Sequence, residues 1–147
     1  MALKMILTDE EKAVLKKEAN YYFVKKLLNC GLTMMHCLSD FFNVPAHEQV
    51  YQSINGIMEN RFKRYQCGLY KGTVMFLGIY GANKGWDRDK LNAVTLNFAK
   101  AFEKEYGSIM CNEVRCVSFE TNSAHLICTA FAARAVIFSA NYIKNLK

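Results

Sequence analysis

Apolar residues recur along most of this chain at intervals of three and four, and no stretch alternates apolar and polar residues for long. A helix brings residues about 3.6 apart onto one face, whereas a strand does so every second residue. The spacing therefore points to an all-α protein. No longer period repeats, which argues against a solenoid of helical repeats. The expected architecture is a compact helical bundle of five to seven helices, with residues 1–147 forming one domain. A chain of 147 residues suits that reading. At this length folding buries roughly 68–70% of the surface exposed in the unfolded chain, so no disulfide is needed to hold it.

Local signals place the helices. Thr8 followed by Glu11 is a capping box, and Val14, Leu15, Tyr22, Phe23 and Leu27 supply an apolar face behind it. Asn29 can cap a second helix whose apolar positions are Leu32, Met35, Leu38, Phe41 and Phe42, ended by Asn43-Val44-Pro45. A weaker third helix is expected over 46–60, then a connection over Glu59–Gln66. Cys67-Gly68 opens a fourth helix with Tyr70, Val74, Phe76, Leu77 and Tyr80 inside. A turn at Gly81–Gly85 follows. Asp87 can cap a fifth helix carrying Leu91, Val94, Thr95, Phe98, Ala101 and Phe102, and Gly107 suits its C-terminal end. Ser108 can cap a short helix through Cys111. The last helix is expected to start at Asn122 or Ser123 and run to about residue 144.

Charge and hydropathy exclude several classes. The formal charge is +6, but basic residues are spread among acidic ones, and the densest basic run is Arg61, Lys63, Arg64 and Lys71. Dispersed charge of this kind marks solvated helix faces, and no nucleic-acid motif accompanies it, so no nucleic-acid partner is expected. The first residues turn charged after a very short apolar stretch, unlike a secretory signal. No uninterrupted apolar run reaches the length of about 18 residues that a membrane span needs. The apolar stretch Ala124–Ile143 is broken by Arg134 and reads as a buried helix. A cytoplasmic location and a reducing environment are the expectation. Six cysteines there point to metal binding, catalysis or redox sensing more than to structural disulfides.

The cysteines are Cys30, Cys37, Cys67, Cys111, Cys116 and Cys128, and none forms a CxxC pair. Any cooperation between them needs the tertiary fold. Cys30, Cys67 and Cys111 fall at or near expected helix starts, and Cys128 falls early in the last helix. A helix N-terminus carries partial positive charge and unpaired N–H groups, both of which favour the thiolate that attacks disulfides or binds metal. Cys37 lies mid-helix beside Met34, Met35 and Leu38 and reads as a small buried hydrophobe. Gly68 and Gly72, one turn apart after Cys67, permit close approach of a cofactor or of another helix. Up to this point, inert core packing accounts for the cysteines as well as chemistry does.

Four stretches shift that balance. They are LLNCGLTMMHCLSDFFNV around Cys30, QCGLYKGTVMFLGIYG at Cys67, FAKAFEKEYGSIMCNEV at Cys111, and the later Cys128 leading into an amphipathic helix. In this order, over roughly residues 15–145, the chain resembles the redox-active protein family named for the pattern C…GCAxxG…C…C. The resemblance implies a helical domain with four motif cysteines, Cys30, Cys67, Cys111 and Cys128, with Cys116 a rival for the fourth place. The chain departs from the pattern at Gln66, where a glycine is expected, at Gly68 in place of alanine, and at Lys71, with Gly72 one residue late. Gln66 and Lys71 add bulk near Cys67.

Other chemistry-bearing residues have simpler readings. His36, beside Cys37, can serve as a ligand or base but more often such a residue is surface or satisfied core. His47 and His125 are weaker candidates. Trp86 and the eight tyrosines mostly fill cores. Met34, Met35, Met58, Met75 and Met110 read as packing. No P-loop, dinucleotide fingerprint or serine–histidine–acid signature is present.

Three functions remain open at this level. The first is a thiol–disulfide oxidoreductase cycling Cys30, Cys67, Cys111 and Cys128 with a redox partner. The second is a module in which the same four cysteines hold zinc or an iron–sulfur cluster as cofactor. The third is an interaction protein with inert thiols. A homodimer is the default assembly for a small bundle with an exposed apolar face.

Overall fold

The helix starts written into the sequence are built as hydrogen bonds. The computed structural model describes residues 3–59, 65–115 and 128–146. Arg61, Lys63, Arg64, Cys116, Asn122, Ser123 and His125 lie outside them. The described residues form seven α-helices and one π-helical turn, with no strand among them.

Helix α1 spans Asp9–Asn20. Thr8 Oγ1 accepts the N–H of Glu11 at 3.1 Å, and the Glu11 carboxylate accepts the N–H of Thr8 at 2.9 Å. A π-helical turn, Tyr21–Lys25, continues it without a break. Only part of the expected apolar face, Leu15 and Phe23, is buried, with Ala19 between them. Leu15, Ala19 and Phe23 are buried, while Val14 is 50% and Leu27 66% exposed. Leu27 adopts a left-handed φ of 54°, which ends the segment.

Helix α2, Cys30–Phe42, is the centre of the molecule. Asn29 caps it, its Oδ1 accepting from Leu32 N at 2.9 Å, and Asn43 closes it in the left-handed conformation. Residues on every side of its first two turns are buried, from Cys30 through Met35. A helix apolar all round must be covered all round. Helix α3 (Glu48–Glu59) covers one side with Ile54 and Met58. Helix α4 (Gly68–Asn83) covers another, and glycines set how close it comes. A Cβ on Gly72 would stand 2.8 Å from Met34 Cβ and 2.9 Å from the Gly31 carbonyl oxygen.

Helix α5 (Arg88–Tyr106) starts at Asp87, whose side chain accepts Lys90 N at 2.8 Å, and stops at Gly107 with φ 82°. Its buried stripe is Val94, Phe98 and Phe102. Helix α6 (Cys111–Arg115) is short. Ser108 was expected to cap a helix reaching Cys111. Its Oγ does accept Met110 N at 2.9 Å, but the helix opens at Cys111. Helix α7 (Thr129–Lys144) packs against α1, α2 and α4. Lys144 Nζ meets Glu11 Oε1 at 2.7 Å, and Tyr142 donates to the Val94 carbonyl at 2.8 Å. Asn141 accepts Ile6 N at 2.8 Å and donates to the Lys4 carbonyl at 3.0 Å, strapping the N-terminal segment over α7. Among the described residues no helix is long and apolar enough to cross a membrane.

Candidate cysteine site

Four cysteines stand at four helix starts. Cys30 is the first residue of α2 and Cys111 the first of α6, while Cys67 and Cys128 occupy the capping positions of α4 and α7. Cys128 thus precedes its helix instead of lying within it. All four are buried.

The backbone brings distant segments together around them. Cys67 N donates to the Ile109 carbonyl at 2.7 Å, and Cys111 N donates to the Tyr65 carbonyl at 3.0 Å. Between these bonds Gln66 lies opposite Met110 in an isolated antiparallel bridge. Gln66, a departure from the family pattern in the sequence, is therefore a bridge residue. Cys30 reaches the same place from α2, since a Cβ on Gly68 would stand 2.7 Å from Cys30 Cβ. Cys67 also feels the charges of Cys111 and Cys128. The four cysteines singled out from the sequence share one neighbourhood with Cys67 at its centre.

The electrostatics of that neighbourhood differ from the expectation. Burial pushes the Cys67 thiol up to about 12, and the neighbouring Cys111 and Cys128 push in the same direction. The N–H groups of Tyr70 and Leu69, in the first turn of α4, pull it down. The helix start acts as predicted, but desolvation outweighs it. Cys67 is a held thiol, not an activated thiolate.

Among the described residues, Lys71 brings positive charge to the site. Burial lowers its pKa, while Cys111 and, less strongly, Cys67 raise it. Its ammonium lies 5.1 Å from the Tyr65 ring centroid, and Tyr65 is the residue whose carbonyl holds Cys111 N. Tyr106 closes another side. Its ring packs edge-on against Phe102 at 4.8 Å and Phe131 at 4.9 Å. Burial raises its phenol, Glu105 and Cys67 add less in the same direction, and Arg134 opposes them. Sequence reasoning passed over Tyr65 and Tyr106. The one available signal for Tyr106 was its place just before Gly107 in the YGSIMC block.

The remaining candidates fall elsewhere. Cys37 is fully buried among other groups, and burial, followed by Glu18 and Asp40, raises its thiol. The space beside Gly68 is taken by Met58 and Cys30, and that beside Gly72 by Met34, so helix packing accounts for both glycines. His36 is stacked between Tyr22 at 4.7 Å and Tyr51 at 4.2 Å. His47 is exposed. Met34, Met35 and Met58 are core.

Four sulfurs suit zinc or an iron–sulfur cluster by their chemistry. Among the described residues, however, no three histidine, cysteine or carboxylate side chains are grouped to hold a metal ion. The described side chains do not by themselves build a metal site.

The fold and site define a class: an all-helical protein that gathers buried cysteines at converging helix starts. The chain belongs to the family described as "Putative redox-active protein (C_GCAxxG_C_C)", which matches residues 28–142. Comparison with curated proteins and with solved structures found no match.

Proposed function

We propose that this protein is a dithiol–disulfide exchange protein whose working pair is Cys67 and Cys111, with Cys30 and Cys128 completing the site. The observation that carries the reading is the pair of backbone bonds across Gln66 and Met110, which ties together the two distant segments that carry Cys67 and Cys111, with Cys111 near enough to Cys67 to raise its thiol. The family's description supports redox chemistry in general.

The roles follow from charge. Burial keeps the Cys67 thiol protonated at neutral pH, so Cys67 is poorly suited to first attack. Cys111 couples more strongly to the Lys71 ammonium. The Cys111 thiolate attacks one sulfur of a substrate disulfide, forming a mixed disulfide and releasing one thiolate. Cys67 then attacks the Cys111 sulfur and releases the second. The protein pair gives up two protons and two electrons. The substrate disulfide takes both and leaves as two thiols. A dithiol reductant runs the same steps backward to restore the protein.

The test is trapping. Protein purified without oxygen is treated with a small aromatic disulfide and followed by intact mass. The expected product is protein lighter by two hydrogens, with a Cys67–Cys111 linkage in the peptide map. The Cys67→Ser variant should stop at the mixed disulfide on Cys111. A linkage that excludes both residues, or thiols that react only after unfolding, would overturn the assignment.

A further inference from the structure

We propose that the outward face of α1 and its π-helical turn is a docking surface for a bilayer of anionic phospholipid. The inward face, Leu15, Ala19 and Phe23, is buried, so the opposite face is fixed toward solvent. That face carries an unusual mixture. Val14, Tyr21, Val24 and Leu27 are exposed apolar or aromatic side chains. Lys16, Lys17, Lys25 and Lys26 are exposed between them.

From Ala13 onward the exposed charge of that face is basic. From Ala13 to Leu28 the sole carboxylate is Glu18, which is half-buried, and burial favours its neutral form. One turn back, Asp9 and Glu11 are engaged by Lys12 at 2.9 Å and by Lys144 at 2.7 Å, and Glu10 is exposed between them. Among the described residues no carboxylate pairs with Lys16, Lys17 or Lys25. These three line a cavity of about 410 Å³ together with Ala13, Asn20 and Tyr21. It is large enough for a phosphate headgroup. Lys26 sits 5.5 Å from the centroid of the Tyr21 ring, which lines the cavity.

The two kinds of side chain choose the partner. A nucleic acid would neutralise the lysines and leave four apolar groups in water. A bilayer surface takes both at once: ammonium groups meet the phosphates, while short apolar side chains and a tyrosine enter the boundary of the acyl region. Helices that lie on membranes show this composition, basic residues interleaved with apolar ones on an exposed face.

The experiment is co-sedimentation of the full chain with vesicles. Binding is expected to vesicles of phosphatidylglycerol mixed with phosphatidylcholine, to weaken as salt rises, and to be absent with phosphatidylcholine alone. Lys16→Glu, Lys17→Glu and Lys25→Glu together should weaken it by at least about tenfold. Should that variant lose its helical circular dichroism, the neutral set Lys16→Gln, Lys17→Gln and Lys25→Gln replaces it, with a smaller loss expected. Val14→Ser with Val24→Ser should weaken vesicle binding but not binding to duplex DNA. Binding indifferent to the lysines overturns the proposal. So does DNA binding as tight as vesicle binding with no effect of the valines, which identifies a general polyanion contact. Inorganic phosphate that displaces vesicles beyond sodium chloride of equal ionic strength overturns it too, by identifying a site for a soluble anion.

Discussion

Cys67 and Cys111 stand at diagonal corners of one antiparallel bridge, each holding the other's segment by its backbone N–H, to Ile109 O at 2.7 Å and to Tyr65 O at 3.0 Å. The arrangement puts both residues on fixed backbone. Replacing either side chain leaves those bonds in place. Cys111→Ser is therefore expected to keep the native circular dichroism and melting behaviour while losing disulfide reduction entirely. An assay of turnover with a dithiol reductant in excess reads the loss. Unchanged turnover would remove Cys111 from the chemistry.

The raised Cys67 thiol gives a pH dependence. Its folded pKa, about 12, lies above the ordinary 9.0, so folding favours the protonated form. The stability contributed is complete below the ordinary value and is lost as pH rises from about 9 toward 12. Denaturant midpoints should fall across that window in the native protein. In Cys67→Ala the fall should be smaller. An equal slope in both would show that other groups, such as the raised tyrosines Tyr22 and Tyr106, dominate.

Two glycines of α4 should respond in opposite directions to the same substitution. A Cβ at Gly72 meets Met34 Cβ and the Gly31 carbonyl, so Gly72→Ala must push α2 and α4 apart. Overpacking costs about 1–3 kcal/mol, against a gain in helix propensity of about 1 kcal/mol, so a net loss is expected. At Gly78 nothing lies within 4 Å, and Gly78→Ala should gain up to about 1 kcal/mol. Chemical denaturation of the two variants checks the contrast.

Cys37 separates packing from chemistry. It is fully buried in α2, away from the bridge. Cys37→Ser places a hydroxyl in that environment and should cost about 1–3 kcal/mol of stability. Disulfide exchange should continue at the native rate at temperatures where the variant is folded. Loss of exchange in a folded Cys37→Ser protein would bring Cys37 into the site.

What the sequence by itself determined is local. The Thr8–Glu11 box, the Asn29 and Asp87 caps and the stop at Gly107 each join residues within a few positions, so their hydrogen bonds could be read from neighbours in the chain. The placing of Cys30 at a helix start followed from the Asn29 cap, while Cys67, Cys111 and Cys128 were singled out by their nearness to expected helix starts and by the family resemblance. Only the tertiary structure decided the rest. Packing chose Leu15, Ala19 and Phe23 as the buried stripe and left Val14 and Leu27 outside it. The Gln66–Met110 bridge depends on chain segments separated by two helices. The sign of the Cys67 shift was also beyond local reading. A helix start lowers a thiol pKa through groups adjacent in sequence, but desolvation depends on everything packed around it, and here desolvation wins.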